Sequence, residues 1–156
     1  MRRLLQTYPY SRSFLTLETP RDKLITAKSK GGTVKGIVHW SSDFGPRKTN
    51  AFLLAQKFVD SEVLRHSAPL TPRMNGDLIK AGARTTRIGE GLVQYADPKA
   101  RYLYYGKVMV GRAPKTVTDK PLVYDGAPTR GAFWFERMKA KDKKTILKGA
   151  GKIAGK

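Results

Sequence analysis

Four tyrosines, Tyr95, Tyr102, Tyr104 and Tyr105, stand within eleven residues and are interleaved with Lys99, Arg101 and Lys107. Rings alternating with cations in this way can stack on bases or on guanidinium groups. Tyrosine also suits protein contact, offering apolar area with a polar tip, and part of the segment must enter the core. Core or interface is the favoured reading. Other chemistry is sparse. His39 and His66 are far apart and in no metal-ligand spacing. His39, in a strand, is expected as a core or sheet-face residue, and His66, beside the end of the main helix, as a partner of the helix dipole. No Asp/Glu pair is flanked by the apolar surroundings that raise a carboxyl pKa. Gly89-Glu-Gly91 lacks the third glycine of a dinucleotide fingerprint, and Gly149-Ala-Gly151 has no strand before it. The chain has no cysteine, which excludes disulfides and thiolate chemistry. The expectation is a protein without enzymatic activity, metal or cofactor.

Charge is the strongest compositional signal: 31 Lys and Arg against 12 Asp and Glu leave a net +19 on 156 residues. A chain this basic repels itself unless it works beside something acidic, and nucleic acid is the commonest such partner. The charge is weighted to the ends. Residues 1 to 30 hold seven Lys and Arg against Glu18 and Asp22, and residues 137 to 156 hold eight against Asp142 alone. The middle is only mildly basic, a pattern of arms rather than of one folded groove.

Length admits one core, since a chain of this size buries roughly 68–70% of its unfolded surface. The longest strictly apolar run, Ala51 to Ala55, is far too short to cross a bilayer, so a soluble chain is expected. Gln6, Pro9 and Arg12 interrupt any secretory signal, and an organelle transit peptide is a minority reading of the Arg-rich start.

The elements that would position these residues follow from periodicity. Residues 1 to 32 read as a basic extension ending in Lys28-Ser-Lys-Gly-Gly32. Val34 to Trp40 reads as an opening strand. Pro46 to about His66 predicts the main helix, with Ala51, Phe52, Leu54, Ala55, Phe58, Val59 and Val63 on one half of the wheel and Pro46 at its first position. Asn75 to Gly82 predicts a short helix with Asn75 as N-cap. Arg84 to Tyr95 reads as one or two strands around Gly89 and Gly91, and Lys107 to Val110 as another strand. Arg112 to Gly131, rich in Pro and Gly, reads as a functional loop with room for one short strand at Leu122 to Tyr124. Ala132 to about Leu147 predicts a last helix, and Lys148 to Lys156 a fraying tail.

Taken in order, three blocks resemble one family, the small minor capsid proteins of tailed bacteriophages, related to head-tail joining and tail-completion proteins. Pro72-Arg-Met-Asn75-Gly76-Asp-Leu78 is similar to the family's Pro-x-x-Thr-Gly-x-Leu. Tyr95-Ala-Asp-Pro98-Lys99-Ala100-Arg101-Tyr102-Leu-Tyr104-Tyr105-Gly106-Lys107 resembles its Pro-Tyr-Ala-Arg-x-x-Tyr-Tyr-Gly segment. Trp134-Phe135-Glu-Arg137-Met-Lys139-Ala140 resembles its Trp-Phe-x-x-Ala/Met-Lys helix. The likeness spans about residues 34 to 145. Asn75 replaces a usual Thr and Lys99 a usual Tyr, which removes an aromatic there. In physical terms Gly76 lets the chain enter a helix tightly, Gly106 takes a positive φ, and Trp134 anchors the last helix on the sheet.

The resemblance implies a virion protein that assembles as a homo-oligomeric ring with neighbouring neck, portal-adjacent or tail proteins, packaged DNA passing through its lumen. It implies location in the virion, and in the host cytoplasm during assembly, with no membrane partner. The expected fold is α+β, a small, mostly antiparallel sheet packed against the long helix and the C-terminal helix, with residues 33 to 147 as one domain between basic flexible ends at 1 to 32 and 148 to 156. Lys99, Lys107, Lys141, Lys143, Lys144 and Lys148 are the candidate contacts to DNA or other anions. The alternative is a basic nucleic-acid-binding protein of ribosomal or nucleoid type.

Overall fold

Six β-branched residues, Ile25, Thr26, Thr33, Val34, Ile37 and Val38, favour the first regular element, a hairpin of β1 (Lys23–Ser29) and β2 (Gly32–Val38) closed by Lys30 and Gly31. In this computed structural model, which describes residues 15–112 and 114–155, the strands pair antiparallel with Leu24 opposite Ile37 and Ala27 opposite Val34. Asp22 fastens the base of the hairpin. Its carboxylate accepts the Trp40 N–H at 2.9 Å and meets the His39 Nδ1 at 2.6 Å. These contacts, the Trp40 amide first, hold the Asp22 carboxyl below the usual carboxylate range.

The chain divides after Asn50 into two units. In the first, the hairpin is followed by the start of α1 (Phe44–Ser67), which continues into the second. The Leu17 N–H donates to Thr49 Oγ1 at 2.8 Å, and the Gly45 N–H donates to Thr19 Oγ1 at 3.0 Å. Gly45 is required here, because a Cβ would stand 2.5 Å from the Leu17 carbonyl oxygen. These bonds correct the reading of residues 1 to 32 as an extension for the part from Leu17 onward. That part holds a strand and is bonded to the start of α1. The residues before Leu15 lie outside the described ones. His39 is corrected too: it lies just past β2, exposed, not on a sheet face.

The second unit contains the rest of α1, then α2 (Asp77–Thr85), α3 (Ala100–Tyr105), β3 (Lys107–Val110), β4 (Thr116–Pro121) and α4 (Trp134–Ala154). β3 and β4 pair antiparallel with a bulge between Lys107 and Met109. The fold is α+β, its strands forming two separate two-stranded antiparallel sheets. The long helix packs on the C-terminal one. Phe58 of α1 lies against Gly149, and His66 Nδ1 is 3.1 Å from Asp142 Oδ2. His66 does occupy the last turn of α1, between Asp142 and Glu62.

Several sequence expectations give way to tertiary contacts. Arg84 to Tyr95 is not a strand. Asp60, 2% exposed on α1, accepts the backbone N–H groups of Gly89 and Gly91 at 2.7 and 3.1 Å and the side-chain Nε2–H of Gln56 at 2.7 Å. Both glycines have positive φ, so a carboxylate rather than a strand partner organises this turn. Asn75 does not cap α2. Gly76 does, at φ 78°, with no side-chain hydrogen bond. The strand expected at Leu122 to Tyr124 forms earlier, as β4, and Leu122 donates its N–H to the Gly106 carbonyl.

The tail from Lys148 continues α4 to Ala154, because Gly149 brings the helix against the Phe58 ring and tertiary packing outweighs glycine's poor propensity. Phe52 and Leu54, expected on the packed half of α1, are exposed. Among the described residues seven apolar side chains are buried, three of them alanines, while eighteen large ones are exposed. The core is small for the apolar surface the chain carries. Among the described residues no helix is long and apolar enough to cross a membrane.

Two glycines in α4 separate packing from propensity. A Cβ at Gly149 would stand 2.6 Å from the Phe58 ring, whereas nothing lies within 4 Å of one at Gly151. Gly151→Ala is therefore expected to stabilise by about 0.5–1 kcal/mol. Gly149→Ala is expected to destabilise by about 1–3 kcal/mol through overpacking. Urea unfolding of both variants checks the pair, and equal shifts of the same sign would contradict it.

Candidate functional site

An aromatic cleft forms where two distant stretches of sequence meet. Asp97 starts α3, its Oδ1 accepting the Lys99 N–H at 2.7 Å, and Gly106 ends it in the left-handed region at φ 70°. A side chain there would press on Ala132, 3.0 Å from the Cβ position, so glycine answers both backbone and space. The Tyr124 hydroxyl donates to the Leu103 carbonyl at 2.5 Å, tying the following loop to α3.

α4 enters from the other side. Phe133 precedes it at φ 50°, an unusual conformation for a bulky residue, and donates its N–H to the Tyr104 carbonyl at 2.9 Å. Trp134 is thereby placed 2% exposed, with its ring 4.7 Å from Tyr104 and 5.7 Å from Tyr95, both edge-on. Tyr95 lies across Gly82 of α2, where a Cβ would stand 2.6 Å from its ring. Trp134 thus anchors α4 on the tyrosines and not on a sheet, correcting that expectation.

Two arginines pin the approach to α4. Arg130 donates to the carbonyls of Ala68 and Thr71 at 3.1 and 2.5 Å, and Arg137 to those of Pro128 and Thr129 at 2.8 and 3.0 Å. The result is an open cavity of about 300 Å³ lined by Tyr95, Ala100, Arg101, Tyr104, Tyr105 and Trp134. Burial raises the phenol pKa of Tyr95, against hydrogen bonds to Thr71 and Ser67 that lower it. Burial likewise raises Tyr104, with the Glu136 charge adding to it. Aromatic edges and one guanidinium can stack and hydrogen-bond.

The second and third sequence blocks therefore meet: Ala100, Arg101, Tyr104, Tyr105 and Trp134 share the cleft. Tyr102 stands beside them on α3, Pro98 precedes that helix, and Phe135 is exposed on α4. The first block acts elsewhere. Pro72 and Leu78 are buried, and Asn75 is exposed. Lys139 lies 3.5 Å from Glu136 and 6.0 Å from the Phe135 ring centroid.

The six candidate cations are not brought together as one patch. Lys99 flanks α3 as its N-cap, and Lys107 faces Asp119 at 3.4 Å. Lys141, Lys143, Lys144 and Lys148 are all exposed on α4. The helical wheel turns Asp60 outward with Lys57, yet Asp60 is buried, a position intelligible only once Gly89 and Gly91 are seen to turn over it. Sequence reasoning missed Phe133, since no local signal marks a bulky residue for positive φ. Among the described residues no three His, Asp or Glu side chains are placed to hold a metal ion. No family model, curated protein or solved structure matches the chain.

Trp134→Ala is expected to cost about 3–5 kcal/mol as a lost core aromatic, read from the urea midpoint. A second expectation concerns alkaline pH. Because the folded-state pKa of Tyr95 lies above the ordinary 10.0, stability is full below that pH and falls as pH rises toward the folded value. Tyr95→Phe removes one such phenol. Its stability should fall less steeply above about pH 10 than that of the unaltered protein, and an identical slope would contradict the assignment.

Proposed function

We propose that this chain is a structural assembly protein that joins copies of itself through its strands, as a minor capsid or head-tail junction component of a tailed bacteriophage. The observation that carries the self-assembly reading is the hairpin. Every residue from Lys23 to Val38 is exposed, with Leu24 and Ile37 together on one face and Ile25, Val34 and Val38 on the other. An isolated two-stranded hairpin is marginal in water, and open edges with apolar faces are templates for pairing with another chain.

A second copy supplies a matching edge. β3 and β4 also form a pair with no third strand among the described residues, and Val110 and Val117 are exposed there. Addition of one copy's hairpin to the next copy's β3 and β4 is a head-to-tail contact. Repeated contacts of that kind close into a ring when the rotation allows. The virion assignment itself is supported by the resemblance of the three sequence blocks, two of which build the aromatic cleft. Neck, portal-adjacent or tail proteins are the neighbours this reading implies, and the cleft is the surface suited to them.

Light scattering on the eluting protein, with negative-stain microscopy, tests the assembly. The unaltered chain should elute as a defined multimer and appear as rings. Ile25→Lys with Ile37→Lys, which places a charge on each hairpin face, should yield monomers of unchanged helical circular dichroism. A monomer at every concentration for the unaltered chain, or a multimer indifferent to both substitutions, would remove the basis of the proposal.

A further inference from the structure

The inward face of α4 is settled by its contacts: Trp134, Met138 and Ile146 are buried, Asp142 meets His66, and Gly149 meets Phe58. At 3.6 residues per turn, Lys141, Lys144, Lys148 and Lys152 fall together beside that face, within an arc of about 80° and along about 16 Å of helix. All four are exposed. None has an ion pair or hydrogen bond among the described residues, whereas Lys139 and Lys107 each have an acidic partner. Asp142, the only acid in the last fifteen residues, is turned away to His66.

The row is unfavourable for the free helix. Like charges spaced three and four residues apart repel, and Gly149 and Gly151 weaken the same turns. The helix dipole favours cations only in the last turn, which holds Lys152. It does not account for Lys141, Lys144 and Lys148. A polyanion laid along the row would turn this repulsion into attraction.

The chemistry of the row selects among polyanions. Docking on a lipid surface is favoured by a continuous apolar face beside the cations, and here Trp134, Met138 and Ile146 are buried in the fold, leaving Leu147 and Phe135 as isolated exposed apolar residues of α4. Protein interfaces favour aromatic residues and Arg and are poor in Lys, yet the free cations of the row are lysine alone, Arg137 one turn earlier being held by the Pro128 and Thr129 carbonyls. Lysine is a point-charge ligand for phosphate. One strand of a duplex presents a phosphate about every 3.4 Å of axis, so the row spans about five of them. It carries no Arg, Asn or Gln to read base edges.

We infer that Lys141, Lys144, Lys148 and Lys152 form a binding surface for the phosphate backbone of double-stranded nucleic acid, without preference for sequence. Lys152 joins the cations expected from the sequence, and Lys143 falls outside the row. The surface belongs to α4 and does not depend on pairing through the hairpin. The Ile25→Lys and Ile37→Lys protein should retain it, which separates a failure of this inference from a failure of assembly.

Fluorescence anisotropy with a labelled duplex of arbitrary sequence, titrated over a range of salt, provides the test. In the full chain, K141Q/K144Q/K148Q/K152Q should reduce the slope of log affinity against log salt by about 3.6, at about 0.9 per phosphate released. K144Q alone should reduce it by about 0.9. A control with the same change in net charge, K30Q/K80Q/K115Q/K143Q, should keep the original slope to within about one phosphate equivalent. Circular dichroism confirms that the helix persists. An equal loss in the control would show that net charge alone binds DNA, and absence of binding by the unaltered chain would end the proposal. Retention on phosphatidylserine vesicles at salt that releases DNA, abolished by the row substitutions, would give the surface to a membrane instead and overturn it.

Discussion

Removal of Trp134 from water is the constraint on which most of the second unit depends. Its ring meets Tyr104 of α3 and Tyr95, and Tyr95 in turn lies across Gly82 of α2. One indole therefore sets the positions of three helices through two edge-on ring contacts. Such contacts are directional, unlike aliphatic burial, and fix orientation as well as proximity. The backbone accommodates the ring rather than the reverse: Phe133 takes a positive φ so that α4 begins with its tryptophan facing inward. Local strain at one residue is tolerated because the surroundings over-determine it.

The parts of this arrangement legible in the sequence are those set by local rules. The long helix follows from its apolar spacing, although it starts at Phe44 and Pro46 stands third rather than first in it; the strands at Val34 and Lys107 follow from β-branched residues, and the turn at Gly106 from the need for positive φ after a run of bulky residues. Contacts between distant residues left weaker traces. The Arg84 to Tyr95 stretch alternates well enough to suggest strands, and only the buried carboxylate of Asp60, some thirty residues away, makes it a turn. The glycine-rich end reads as a tail until Phe58 is placed beside Gly149. The aromatic site was half visible, because its tyrosines cluster in sequence. Their meeting with Trp134 is a property of the fold.

Two surfaces of opposite character follow from the same economy. A small core leaves apolar side chains outside, concentrated on the hairpin, while the basic residues of α4 align on one flank of a helix whose other side is occupied. On the proposed reading the first surface is for protein and the second for phosphate. A ring of such chains around nucleic acid would use both at once: strand pairing fixes one copy against the next, and an unspecific cationic track lets a duplex pass without being held at one sequence.

The glycine at position 149 has a consequence for how α4 comes apart. The helix is held at its start by Trp134 and Met138 and near its end by the Phe58 contact, with Ile146 between them. Past Gly149 the helix contains Gly151, is capped by Gly155 and has no buried side chain among its described residues. The helix is thus graded in local stability. Amide protons of its first turns should be released only by opening of the whole unit, whereas the final turn should exchange by fraying alone. Of the four lysines on its flank, only Lys152 lies in this last part of α4, whose order depends most on whatever lies against it.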